Sequence, residues 1–138
     1  MVRLRAELHV HSNFSDGKDS VEKILRVAVE KKIDVISITD HDTLEGSLSA
    51  IDFVSEEKIP LVVIPGIEIS TRSGHLLAYG IERGVESKLE MEETCEIVKK
   101  MKAISVLAHP FDFIRKGSLK VGDFRFVDCV EVFNAKSY

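Results

Sequence analysis

Apolar runs of strand length alternate with segments of helical period along nearly the whole chain, and this constrains the fold more than any other feature. Asp34–Thr39 (DVISIT) is mostly apolar and β-branched, as a buried parallel strand should be, and Leu61–Ile64 (LVVI), Ile104–Ala108 (ISVLA) and Cys129–Phe133 (CVEVF) are further expected strands. Between them, Val21, Ile24, Leu25, Ala28 and Val29 form an apolar stripe, which predicts a helix to about Lys32. Asp19 with Glu22 resembles a capping box at its start. Further helices are expected from about Leu44 to Glu57 and from about Met91 to Lys102. Ile67–Ser70 and Leu76–Tyr79 flank Thr71-Arg72-Ser73-Gly74, the composition of a hairpin turn. Residues 111–126 give no clear pattern. Strands alternating with helices imply an α/β fold on a mainly parallel sheet, and 138 residues suit one domain covering 1–138.

In such folds, functional side chains gather where strands end and loops begin. Here all five histidines lie at or beside strand ends. The first expected strand, Leu4–His11, alternates Leu8 and Val10 with His9 and His11, which places both imidazoles on one face. Asp40 and His41 end the DVISIT strand, His109 ends ISVLA, Glu68 follows VVIPG, and His75 opens the second arm of the hairpin. Alternate strand residues have Cα atoms about 6.6 Å apart, so two imidazoles can lean onto one ion. Imidazole and carboxylate without thiolate is a donor set for Zn²⁺, Mn²⁺ or Fe²⁺. Glu68, an acid within the apolar run PGIEIS, needs a partner and has two oxygens with which to bridge a pair of metals.

Composition narrows the alternatives. A formal net charge of −4 with no basic run disfavours broad nucleic-acid binding. No apolar stretch approaches the roughly 20 residues of a membrane span, and the N-terminus lacks a signal-peptide core, so a cytoplasmic location is expected. Cys95 and Cys129 form no CxxC pair, and both are expected in the core. Arg72 and Arg115 are candidates to hold a substrate phosphate, although a solvated surface role is the stronger reading for each.

The motifs ELHVHSNFSDG, ITDHDT, VIPGIEIS, GHLLAYG and VLAHP, in this order from residue 7 to 110, together with EVFNA near the end, resemble those of the polymerase-and-histidinol-phosphatase (PHP) family. The resemblance implies a distorted barrel of about seven β/α units (compare the eight of the usual barrel) with two or three divalent ions at its mouth. It also implies a metal-dependent phosphoesterase that hydrolyses a phosphate ester with metal-activated water. Carried over, His9 and His11 resemble ligands of a first metal, bridged by Glu68 to a second that His75 and His109 also bind. Asp16 and His41 resemble ligands of a third, and Asp40 a carboxylate that orients a histidine from behind. The substrate expected is a small phosphorylated molecule or the end of a nucleotide or oligonucleotide.

One departure stands beside this match. The family carries a late Asp-x-His motif, and no histidine follows His109 here. The barrel is therefore expected to be incomplete at its C-terminal side, its open edge covered by a second copy of the chain or by a further segment. The alternative to an enzyme is a metal-binding or structural module of the family with little or no catalysis.

Overall fold

The computed structural model describes residues 3–112 and 121–134, and the chain divides into two compact units, Met1–Ile67 and Glu68–Tyr138.

The first unit is built on a parallel sheet of β1 (Ala6–Val10), β2 (Val35–Ile38) and β3 (Val62–Val63), in that order. Helices α1 (Val21–Glu30) and α2 (Glu45–Glu57) provide the crossovers that parallel pairing requires. Val21, Leu25 and Ala28 of α1 pack with Ile36 and Ile38 of β2, Ala50 of α2 and Leu61 in one buried cluster. Val29 is 39% exposed and lies outside the stripe expected for it. Ser20, not Asp19, caps α1: its Oγ accepts the Lys23 N–H at 3.3 Å, the usual reach from an N-cap to the third helical residue. Asp19 instead pairs with Lys23 one turn on.

β1 is irregular. Ala6 and Glu7 pair with Val35 and Ile36, but Val10 pairs with Ile38, so β1 carries one residue more than its partner over that span. A bulge of this kind re-aims side chains near a strand end, and it falls where His9 stands.

The second unit contains β5 (His75–Tyr79), α3 (Met91–Lys100), β6 (Ile104–Leu107), a 3-10 turn at Val121–Arg125 and β7 (Cys129–Val130). β4 (Gly66–Ser70) starts two residues before the unit and completes its sheet, in the order β4-β5-β6-β7. Thr71 closes the expected turn, its N–H donating to the Gly74 carbonyl at 2.9 Å and its Oγ1 to the same oxygen at 2.6 Å. β5 and β6 pair antiparallel, with Leu76 opposite Leu107 and Tyr79 opposite Ile104, whereas β6 and β7 are parallel. Leu76, Leu77, Ile81, Met91, Val98 and Leu107 are buried, and α3 contributes Cys95 to the same interior.

The α/β class read from the alternation holds, but the described strands form two sheets and no closed barrel. The hairpin turns the chain back at β5 without a helical crossover, so β5 runs against β6, the strand reached through α3. Cys129 is exposed rather than buried, because the two-residue β7 leaves it on the outward side. Among the described residues no helix is long and apolar enough to cross a membrane.

Candidate functional site

In the first unit the strand ends bring His9, His11, Asp16 and His41 together. His9 Nε2 and His11 Nε2 stand 3.1 Å apart, although the strand that carries them is bulged. His11 Nδ1 lies 2.7 Å from Asp16 Oδ1, and His41 Nε2 lies 3.9 Å from the other oxygen of the same carboxylate. The rings of His11 and His41 meet edge to face with centroids 4.6 Å apart. One ligand atom from each of His11, Asp16 and His41 falls within 4.8 Å of the others. Two ligands of a tetrahedral ion with bonds of about 2.0–2.1 Å are themselves about 3.3 Å apart. His11, Asp16 and His41 therefore have the chemistry and the spacing to close on a divalent cation with small side-chain movements, while His9 meets the Nε2 of His11, the nitrogen turned away from Asp16.

Burial opposes ionisation of Asp16, but the nearby imidazoles of His11 and His41 and the contact with His11 outweigh it. The carboxyl is held below its ordinary value. It is thus an anion at neutral pH and has no proton to lose when a cation arrives.

Asp16 reaches the histidines from a short loop, and Asp40 fixes that loop. The Asp40 side chain is 1% exposed. Its Oδ1 accepts the Ser12 N–H at 2.7 Å and the Ser15 hydroxyl at 2.6 Å, while Oδ2 accepts the Ser12 hydroxyl at 2.6 Å. The Ser12 carbonyl in turn accepts the Gly17 N–H at 2.9 Å. Glycine is required at two points here. A Cβ at Gly17 would lie 2.2 Å from the His11 carbonyl oxygen, and one at Gly46 would lie 2.0 Å from Asp40 Oδ2. Asp40 was expected behind a histidine; the groups it holds are serines, and it acts on the cluster through the loop that carries Asp16.

In the second unit the centre is Glu68, on β4. Its carboxylate is 1% exposed, and Oε1 lies 3.2 Å from His75 Nδ1 and 3.0 Å from His109 Nε2. The two rings are nearly perpendicular, with centroids 5.3 Å apart. His75 opens β5 and His109 follows β6, so neighbouring strands deliver them to one oxygen. A carboxylate this deeply buried is costly unless charge and hydrogen bonds compensate it, and two imidazoles with a carboxylate form half or more of a zinc-type ligand set.

Of the arginines, Arg72 ties the hairpin to the segment before α3. Its Nε donates to the Lys88 carbonyl at 2.9 Å and its Nη1 lies 3.3 Å from Glu90. Arg115 lies outside the described residues. The residues that sequence reasoning missed are Ser12, Ser15, Gly46 and Glu131. The two serines of SNFSDG and the acid of EVFNA were visible as motif positions, but their partners are set by tertiary packing.

The PHP domain family model matches residues 7–116. The chain is 35% identical over 146 residues to an uncharacterized protein of Methanocaldococcus jannaschii, covering 96% of this chain and 82% of that protein. It is 36% identical over 84 residues to the phosphoribosyl 1,2-cyclic phosphate 1,2-diphosphodiesterase of Eggerthella lenta, covering 56% of this chain but 31% of that enzyme. Among solved structures, a two-domain protein of Bacteroides vulgatus containing a predicted PHP-like metal-dependent phosphoesterase aligns with a TM-score of 0.71. That alignment has 22% identity and covers 82% of this chain and 37% of the other, so it is a likeness of fold. The match over residues 7–116 takes in every histidine of the two clusters, with Asp16 and Glu68. The chain belongs to the PHP domain family.

Proposed function

We propose that this chain is a metal-dependent phosphoesterase whose ligands are His9, His11, Asp16 and His41 in the first unit and Glu68, His75 and His109 in the second. One observation carries the reading: in the first unit ligand atoms of His11, Asp16 and His41 lie within 4.8 Å of one another, and in the second His75 and His109 both reach one Glu68 oxygen, at 3.2 and 3.0 Å. Divalent ions held there would supply Lewis acidity toward phosphate oxygens and an acidified water as nucleophile. Zn²⁺, Mn²⁺ and Fe²⁺ all accept this donor set.

The chain's own part is to present those donors already assembled. Asp16 offers an anionic oxygen at neutral pH. Glu68, shut from water with one oxygen between two imidazoles, would give a cation an oxygen ligand shielded from solvent. Asp40 keeps the Asp16 loop from collapsing or swinging out. The substrate class that suits this site is a small phosphate ester or a nucleotide end, since a net charge of −4 gives no field to draw in a long polyanion. Family membership and the name of the Eggerthella enzyme, a phosphodiesterase, support the reaction class.

The test is turnover. Chain stripped by chelator and resupplied with Mn²⁺ should release nitrophenol from nitrophenyl phosphate or its diester, and His9→Ala should abolish the release. Metal-dependent activity that survives His9→Ala overturns the assignment. Full metal loading with no release from either ester supports a non-catalytic metal-binding module instead.

A further inference from the structure

His109 has a φ of 27°, in the left-handed half of backbone space that residues with a Cβ rarely adopt. It also precedes Pro110, whose ring restricts the backbone of the residue before it. Such a conformation persists only where its surroundings over-determine it, and such places cluster at functional sites. At His109 the determining group is Glu131, the residue after β7. Its Oε2 accepts the His109 backbone N–H at 2.8 Å. Asn134 Nδ2 donates to both oxygens of Glu131, at 3.2 and 3.3 Å. The Glu131 N–H donates to the Leu107 carbonyl at 2.9 Å, which extends the β6–β7 pairing. The carboxylate is therefore anchored through its own backbone and gripped at its tip. It fixes the backbone from which the His109 ring reaches Glu68 at 3.0 Å.

We propose that Glu131 is a positioning residue: it locks the strained backbone of His109 so that the imidazole meets the ion shared with Glu68, without being a ligand itself. The proposal rests on the reading that Glu68, His75 and His109 hold a divalent ion. An N–H bonded to a carboxylate is a charge-assisted bond, stronger than the neutral kind. A short strand followed at once by such a bond makes the end of β7 a clamp on the end of β6.

The experiment is a Co²⁺ titration of the full chain, read by visible absorption, on wild type, His109→Ala, Glu131→Ala and Glu131→Gln. His109→Ala identifies the ion in question. Glu131→Ala is expected to weaken that ion by about 10- to 100-fold, the range for groups that orient a ligand from behind. The His11-dependent ion should keep its affinity. Glu131→Gln retains a side-chain carbonyl that can accept the His109 N–H, and should recover most of the loss. Wild-type affinity in Glu131→Ala while His109→Ala loses the ion overturns the proposal and leaves the metal reading standing. Equal loss in Glu131→Gln and Glu131→Ala also overturns it, because an acceptor oxygen kept in the same place would then do nothing to hold His109. If His109→Ala loses no ion, the metal reading falls and the proposal with it. Should Glu131→Ala not fold, Glu131→Asp serves instead: it keeps the charge but withdraws the oxygens by one methylene. Weakened Co²⁺ in that variant supports the clamp, and unchanged affinity refutes it.

Discussion

Gly46→Ala is a substitution for which helix propensity and packing predict opposite signs. Gly46 is the second residue of α2, where alanine is favoured over glycine by up to about 1 kcal/mol in a helix interior. Yet the new Cβ would lie 2.0 Å from Asp40 Oδ2 and 2.9 Å from Ser12 Oγ, and both groups are buried. The carboxylate must move, and its bonds to the two serine hydroxyls are short, at 2.6 Å each. Losing two hydrogen bonds to a charged group costs roughly 3–6 kcal/mol at about 1.5–3 each. Subtracting the helix gain leaves a net loss of about 2–5 kcal/mol. In a domain of this size, each kcal/mol moves Tm by about 3 °C, so a fall of about 6–15 °C is expected. Thermal melts by circular dichroism, with urea titration for the free energy, measure it. The same variant should bind metal more weakly at the His11–Asp16–His41 cluster, because the loop carrying Asp16 loses its anchor. A Gly46→Ala chain as stable as wild type, or more so, would refute the argument that Asp40 and its serines are fixed against α2.

Three further outcomes are expected. The Cys95 thiol is pushed up to about 11, by burial first and then by the carboxylates of Asp128 and Asp123, whereas Cys129 is exposed. A disulfide reagent at pH 8 should therefore modify Cys129 quickly and Cys95 only on unfolding; rapid modification of both would contradict the buried α3 face. Asp128 is held below its usual range by the Ser105 N–H and hydroxyl, so its contribution to stability is present above the unfolded value, near 3.9, and is lost as pH falls through the lower folded value. Asp128→Asn should be less stable than wild type at pH 7 by a small amount, under about 1 kcal/mol because the group is exposed, and urea titrations should show the gap closing toward pH 3; a gap that widens in acid would reverse the sign. Finally, Zn²⁺ at about 100 times its dissociation constant should stabilise the stripped chain by about 2.7 kcal/mol per site. In Glu68→Gln the thermal shift should shrink to the share of the first cluster, and an undiminished shift would remove Glu68 from the ligand set.

The sequence placed the chemistry better than the geometry behind it. The strands before His41 and His109 are legible as apolar runs, because a buried strand must be short, apolar and bounded by polar residues, and β1 as an alternation of Leu8 and Val10 with His9 and His11. His9 and His11 were read as sharing a face by simple alternation. They do converge, but on a strand with a bulge, which single-residue periodicity cannot register. Asp40 shows the limit most clearly. Its position beside His41 suggested a partner histidine, while its actual partners lie 25 and 28 residues away in the chain. Such pairings depend on which loop folds over which strand end, and no local pattern encodes that. Ser20 replaced Asp19 as the cap for a smaller reason: both residues can cap, and the helix starts where Val21 and Leu25 reach the core. Glu131 belongs with Asp40, an acid whose role appears only once β7 lies beside β6.

The chemistry proposed for this chain requires the two histidine–carboxylate clusters to be metal sites. Equilibrium dialysis of the stripped chain against Zn²⁺ or Mn²⁺, followed by elemental analysis, tests this directly. About two ions per chain are expected, one for each cluster, with the first lost in His11→Ala and the second in Glu68→Gln. A wild-type chain that retains less than about one ion, or substitutions that leave the count unchanged, would contradict it.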